Sequence, residues 1–261
     1  MREAQSADQT ESSNASLGVI SPADGSRQGS DFIINNLPSD QLSDGSGSRR
    51  FTFLGSGNST RYALALILLV AVVLRIYGIN WDQGGLFHPD ERAFLSQVYN
   101  LQFPEGDEWS KLTDPQASTL NPGSFNWGSL PHYALKAVQY AVAPYKWMSM
   151  FDLRYAGRAL SAISDLATIF LIFQIGRSVF SARVGLLAAL LSAFAVQQIQ
   201  LSHFFAVDTF MTTFIVGTIY YSIRIAEHGR KRDSVLAGVM FAFAVATKFS
   251  VLPLAVALIL A

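Results

Sequence analysis

RYALALILLVAVVLRIYGI, residues 61–79, followed within ten residues by His88-Pro89-Asp90-Glu91, decides the fold. The run carries charge only at Arg61 and Arg75, and as a helix it would cover about 28 Å, close to the hydrocarbon thickness of a bilayer. The acid pair then falls where a membrane meets water. Two adjacent carboxylates there serve no packing purpose, so chemistry enters as a hypothesis.

Working outward, further apolar runs lie near 156–176, 184–199, 206–224 and 234–247, and another begins near 249 and reaches Ala261. With half of its 261 residues hydrophobic and 15% charged, the chain suits a bilayer better than water. The expected fold class is all-α: a polytopic transmembrane helical bundle with a large first outer loop over about 80–155. Residues 1–60 are rich in Ser, Asp, Asn, Gly and Gln with hardly an apolar cluster. Such a stretch buries too little surface to offset its ordering entropy, so a disordered tail is expected. It is too long and polar to begin a cleavable signal peptide, so the first span reads as an uncleaved anchor. The last apolar run stops without a polar cap, which is expected of a fragment or of a truncated gene product.

The net charge is zero and the basic residues sit in short runs, so no nucleic-acid partner is expected. The absence of cysteine removes disulfides, thiolate metal sites and a Cys nucleophile. Two acids without a His or Cys ligand cluster leave a divalent cation possible but unassigned, with no cofactor or metal ligand named. The sequons at Asn14 and Asn58 are chance-level matches on a tail expected to be cytoplasmic.

Orientation follows from the positive-inside rule. Arg49, Arg50 and Arg61 precede the first span, Arg177 and Arg183 flank the next turn, and Arg224, Arg230, Lys231 and Arg232 crowd a later one, whereas 196–207 has no Lys or Arg. These alternate consistently when the N-terminus is cytoplasmic and 80–155 is outside. Reading 130–150 as another span would reverse every later loop, and Lys136, Gln139, Pro144 and Lys146 interrupt it. It reads instead as an interfacial helix anchored by Tyr140, Tyr145 and Trp147.

That topology puts the ionisable residues at one depth. Arg75 lies in the last turn of the first span, Asp90 and Glu91 in the outer loop, Arg158 at the start of the second span, His203 and Asp208 at the mouth of the fourth, and Lys248 at the outer end of the fifth. Charges at a bilayer edge face a bundle interior or a wet cavity, and a shared depth points to one site. Asp165 lies about 10 Å deeper than Arg158 and is expected to contact a neighbouring helix. Carboxylates can take the proton of an attacking hydroxyl, and Arg and Lys can hold a phosphate. Each residue also has a bland reading. Pro89 and the acids suit a helix start, Arg158 and Lys248 can snorkel, Asp208 can cap a helix, and His203 can be an interfacial hydrogen-bonding group. Residues 125–131 suit the wall of a sugar pocket or a loop anchored by Trp127.

The strings LRIYG (74–78), FHPDE (87–91), FNWGSLP (125–131), GRALSA (157–162), QLSHFFAVDT (200–209) and ATKF (246–249), in this order, resemble the polyprenol-phosphate-sugar-dependent glycosyltransferases of the GT-C fold. The likeness spans about 61–261 and is nearest to bacterial relatives of the dolichyl-phosphate-mannose protein mannosyltransferases. It implies an integral protein of a bacterial plasma membrane. The implied reaction is inverting transfer, at the outer face, from a polyprenyl-phosphate-linked sugar to a hydroxyl of a protein, lipid or glycan acceptor. The first outer loop would carry interfacial helices. By the same likeness Asp90 is the general base, Glu91 orients the acceptor or a metal, Arg158 meets the donor phosphate, and Asp208 and Lys248 organise the pocket and the phosphate. Arg75 joins the substrate-binding set, and His203 stands where relatives often carry arginine. The competing readings are a transporter or lipid flippase using the same charges, and an inactive truncated fragment.

Overall fold

The computed structural model describes residues 57–261 apart from Asn126 and Lys146. The tail expected over 1–60 therefore lies outside the described residues up to position 56, as do Asn14, Arg49 and Arg50. The described part of that stretch is already helical, because α1 runs Gly57–Ile76. Among the described residues all regular structure is helical.

The long helices are α1, α4 (Met150–Val179), α7 (Val207–His228) and α8 (Lys231–Thr247). Between α4 and α7 lie α5 (Ala182–Ala193) and α6 (Val196–Ser202), which bend by 59° at their junction. α1 and α4 are long and apolar enough to cross a membrane, and α5 with α6 qualifies if the bent pair is one span. α7 and α8 have 22 and 17 residues, or about 33 and 26 Å of helix. The chain is an integral membrane protein. Beyond α8 a 3-10 helix, Phe249–Leu254, precedes the short α9 (Ala255–Ile259), and Pro253 accounts for the irregularity because it has no N–H for the helical ladder.

Local signals set the helix ends. Ser149 and Asp152 form a capping box at the start of α4, Ser181 caps α5, and α7 stops where Gly229 turns left-handed at φ +59°. α4 is the hub, packing against α1, α5 and α7, while α7 packs in turn on α8. Small residues make this possible. A Cβ on Gly176 would lie 2.7 Å from Gly185 Cα, so the backbones of α4 and α5 meet where neither has a side chain.

The segment between α1 and α4 folds as a layer over one end of the bundle. It holds α2 (Pro89–Asn100), a 3-10 helix at Gly106–Lys111 and α3 (Leu130–Val142). Leu86, Phe94, Leu95, Val98 and Leu135 from this layer share a core with Leu153 of α4 and Phe205, Val207 and Phe210 at the start of α7. A second core of Ala71, Ile169, Phe173, Leu186, Ala189 and Ala193 joins α1, α4 and α5. With 13 residues, α3 reaches only about 20 Å and is too short to span. Its inward face carries His132, Lys136 and Gln139 while Tyr133 and Ala137 face out. Leu135 seats this face in the core beside those polar groups, while the exposed Tyr133 and Ala137 leave an apolar side outward, which suits a helix lying along an interface.

Candidate active site

The turn between α1 and α2 is wound around Asp82. Its carboxylate accepts from the N–H of Gly84 (3.2 Å) and of Leu86 (3.0 Å). That support is needed, because Gly78, Gln83, Gly84 and Leu86 all have positive φ and leucine adopts +47° only at a cost. His88 then caps α2 by accepting from the Glu91 N–H at 3.4 Å, with Pro89 at the first helical position.

Arg158 of α4 rises into this turn. Its Nε donates to Glu91 Oε1 (2.7 Å) and Nη2 to Glu91 Oε2 (2.6 Å); Nη1 and Nη2 donate to Asp82 Oδ1 (3.1 Å) and Oδ2 (2.7 Å); Nη1 also reaches the Ile79 carbonyl (2.6 Å). A guanidinium has five N–H donors, and all are engaged. The side chains of Arg158, Asp82 and Glu91 have no solvent exposure. Glu91 further accepts from the Phe205 N–H at 3.0 Å, which ties the start of α2 to the segment leading into α7. Gly157 makes the room, since a Cβ there would lie 2.6 Å from the Phe205 ring. The Arg158 hydrogen bond is the largest influence holding Asp82 at a pKa of about 2.

Successive helical residues point about 100° apart, so with Glu91 inward Asp90 turns toward the surface. It is partly exposed, and no hydrogen bond or ion pair holds its carboxylate among the described residues. The two acids of the sequence motif therefore have unlike surroundings: one is locked and buried, the other free.

Asp208, in the first turn of α7, faces Lys248 at the end of α8 at 3.8 Å, with side chains 34% and 35% exposed. Trp127 and Gly128 brace this end of α8. The Gly128 N–H donates to the Thr247 carbonyl at 2.9 Å, and a Cβ on Gly128 would fall 1.9 Å from the Ala246 oxygen. Trp127 packs on Phe94 with ring centroids 4.7 Å apart, and Phe94 stacks on His132 at 4.3 Å. This pair is an anchored strut joining α2, α3 and α8.

His203 has its ring nitrogens at two carbonyl oxygens, Nδ1 at Ile199 (2.7 Å) and Nε2 at Tyr77 (2.9 Å). It lines a cavity of about 370 Å³ with Tyr77, Gly78, Trp81, Gln200 and Phe204. Phe204 also packs at a tilt against His88, ring centroids 4.4 Å apart, so this cavity adjoins the start of α2.

Arg75 lies apart from this group. It is fully buried, pairs through Nε with Asp165 of α4 at 2.5 Å, and donates to the Ala193 carbonyl at 2.9 Å. Asp165 thus meets the neighbouring helix α1, and Arg75 holds the carbonyl end of α5 where the chain bends into α6, as a cation suits a helix C-terminus. The structure brings Glu91 and Arg158 into one cluster and Asp208 and Lys248 into another, with Asp90 on the surface of the first. Asp82, which sequence reasoning passed over, is central to that first cluster. The Asp-Gln-Gly-Gly run was its signal, since an aspartate two residues before glycine commonly folds the chain onto its own carboxylate. Among the described residues no group of three His, Asp or Glu side chains is placed to hold a metal ion.

Apolar helices pack around α4 beneath a helical loop layer that carries Asp90, and the second part of this arrangement is similar to a family of membrane glycosyltransferases. The specific relationship comes from the second part of the chain. Residues 149–261 match the family model described as dolichyl-phosphate-mannose-protein mannosyltransferase. That segment contains Arg158, His203, Asp208 and Lys248, and it begins after the loop layer with Asp82, Asp90 and Glu91. No curated protein and no solved structure matches the chain.

Proposed function

We propose that the chain transfers a sugar from a polyprenyl-phosphate donor to an acceptor hydroxyl, with inversion, at the outer face of the membrane. Asp90 is the base. It takes the proton of the acceptor hydroxyl as that oxygen bonds to the anomeric carbon, while the bond from that carbon to the phosphate oxygen breaks and its electrons leave with the polyprenyl phosphate. Attack opposite the departing phosphate inverts the centre, and the proton passes from Asp90 to water.

The free Asp90 carboxylate on a rigidly held helix start is the observation that carries this reading. A general base must be accessible and correctly aimed. The Arg158–Glu91–Asp82 cluster supplies the aim without touching the acceptor, which makes Glu91 and Arg158 positioning residues. For Arg158 to meet a phosphate it would have to exchange one of its five internal bonds. Among the described residues Lys248 has only a 3.8 Å partner, and it is 35% exposed, so it is the cation assigned to the phosphate, with Asp208 aligning it. The cavity beside Phe204 and His203, mostly apolar in its walls, suits the first isoprene units of the donor. The outer-face assignment follows from the alternation of Arg and Lys along the chain. A transporter would use charges within the membrane helices, and Arg75 and Asp165 are already satisfied against each other.

The test is transfer of radiolabelled sugar from a polyprenyl-phosphate donor in membranes containing the protein. Asp90→Asn is expected to lower it by about 10²- to 10⁴-fold with normal protein levels, and undiminished turnover would remove Asp90 from the reaction.

A further inference from the structure

Away from Asp90, between α2, α3 and the Gly106–Lys111 helix, lies a cavity of about 340 Å³. Tyr99, Phe103, Tyr140 and Trp147 form its aromatic walls, and Glu105, Glu108 and Lys136 bring charge to it. Phe103 packs edge-on against Tyr140 at 4.5 Å, and Tyr140 lies perpendicular to Trp147 at 6.2 Å. The Tyr140 hydroxyl accepts from the Phe103 N–H at 3.2 Å, which fixes the corner. These rings are not core. Tyr99, Phe103 and Trp147 are 43%, 41% and 53% exposed.

Lys136 is the unusual member. It is 2% exposed, yet no carboxylate pairs with it among the described residues. Its ammonium donates to Gln139 Oε1 at 2.8 Å and, at 3.5 Å, to the Tyr99 carbonyl, and it lies 5.3 Å from the centre of the Tyr140 ring and 6.0 Å from that of Trp147. Burial pushes its pKa down. A buried cation lacking a counter-ion costs stability, and its place on a cavity wall leaves donor capacity for a ligand.

We propose that this cavity is a carbohydrate-binding subsite, taking a neutral sugar unit of the acceptor or of a neighbouring glycan. The occupant follows from the mixture of groups. A pyranose has an apolar C–H face that stacks on Trp147 or Tyr99, and hydroxyls that donate to the Glu105 and Glu108 carboxylates and accept from Lys136. Phosphate and other anions are disfavoured by the two glutamates. A purely lipid-facing aromatic belt would carry no carboxylates. The subsite stands apart from the transfer chemistry, so it can hold whether or not Asp90 is the base.

Saturation-transfer NMR of methyl α-mannopyranoside and methyl α-glucopyranoside with the full-length chain in detergent micelles tests it. At least one glycoside is expected to bind saturably in the millimolar range. Trp147→Ala and Lys136→Met should each weaken that binding about tenfold, while Trp109→Ala, an exposed tryptophan outside the cavity, and Asp90→Asn should bind as the unaltered protein does. Equal binding by the Trp147 and Lys136 variants, equal loss in Trp109→Ala, or no saturable signal from either glycoside overturns the subsite. Transfer lost in Asp90→Asn with glycoside binding retained separates this inference from the proposed reaction.

Discussion

Glu91 and Arg158 meet through two parallel hydrogen bonds, 2.7 and 2.6 Å long, with neither side chain exposed to solvent. Such a fork between α2 and α4 gives orientation as well as attraction. It joins the loop layer to the bundle at the residue next to Asp90. Because Asp82 grips the other side of the same guanidinium, moving Arg158 would disturb the turn before α2 and the helix start together.

Replacing Arg158 by methionine is therefore expected to be severe. Two buried carboxylates would lose their common cation, a change worth about 3–5 kcal/mol when one partner of a buried pair is removed. Thermal unfolding in detergent measures it. Adding Glu91→Gln to Arg158→Met should recover part of the loss, since one stranded charge disappears; strictly additive effects would show that the fork is not coupled as described.

Asp90→Asn should behave in the opposite way. The carboxylate is partly exposed and makes no bond to the rest of the described protein, so the melting temperature should stay within about a degree of the original. Transfer should fall by about 10²- to 10⁴-fold, the usual contribution of a positioned base. A variant that loses stability and activity in parallel would instead identify Asp90 as a structural cap.

Gly128→Ala probes the strut between the loop layer and α8. The added methyl would overlap the Ala246 carbonyl, which is backbone and cannot swing aside. Overpacking of this kind costs about 1–3 kcal/mol. If Gly128 undocks from Thr247, the end of α8 and Lys248 lose their support, so weaker donor binding should accompany the lower melting temperature. An unchanged apparent donor affinity would separate the strut from the Lys248 end.

Much of this architecture was legible because hydrophobic periodicity and charge alternation are local signals. The helices at α1 and α4, the non-spanning character of α3 and the partner helix for Asp165 all followed from residue spacing and burial cost. The distribution of partners within the charged set was not legible. Shared depth puts Arg75, Asp90, Glu91, Arg158 and Lys248 on one level, yet Arg75 reaches Asp165, about two turns further along α4 than Arg158, and rotation about each helix axis decides which of the others touch. Arg75 turns toward Asp165 and the bend after α5, Arg158 turns toward Glu91, and Asp90 turns away from both. Asp82 escaped notice for a related reason: its importance comes from a turn with four positive φ values, and backbone geometry of that kind leaves only a faint compositional trace. The bend between α5 and α6 was likewise invisible as an apolar run, since both pieces are apolar and the break is marked by tertiary contacts, those of Arg75 to the Ala193 and Ser192 carbonyls and of Ser192 to Gln198.

His132 should set the acid sensitivity of the loop layer. Its ring is 1% exposed, stacks on Phe94 at 4.3 Å and meets Gln97 Oε1 through Nε2 at 2.7 Å. Burial lowers its pKa from 6.5 to about 4, the Gly128 backbone working in the other direction. The unfolded chain takes up this proton near pH 6.5, whereas the folded chain resists until about pH 4. Stability from the neutral ring is therefore complete above pH 6.5 and falls as the pH drops through that window, by about 3 kcal/mol in all. Asp82 adds a lower step, because its folded pKa of about 2 lies below the ordinary 3.8. Its contribution is present above that ordinary value and is lost as the pH falls toward 2. Melting temperature measured against pH should thus decline in two stages. His132→Gln should flatten the first stage between pH 6.5 and 4 and leave the second in place. A melting temperature in the unaltered protein that stays constant from neutral pH to 4.5 would contradict the burial of a neutral imidazole, and with it the close docking of α3 on Phe94.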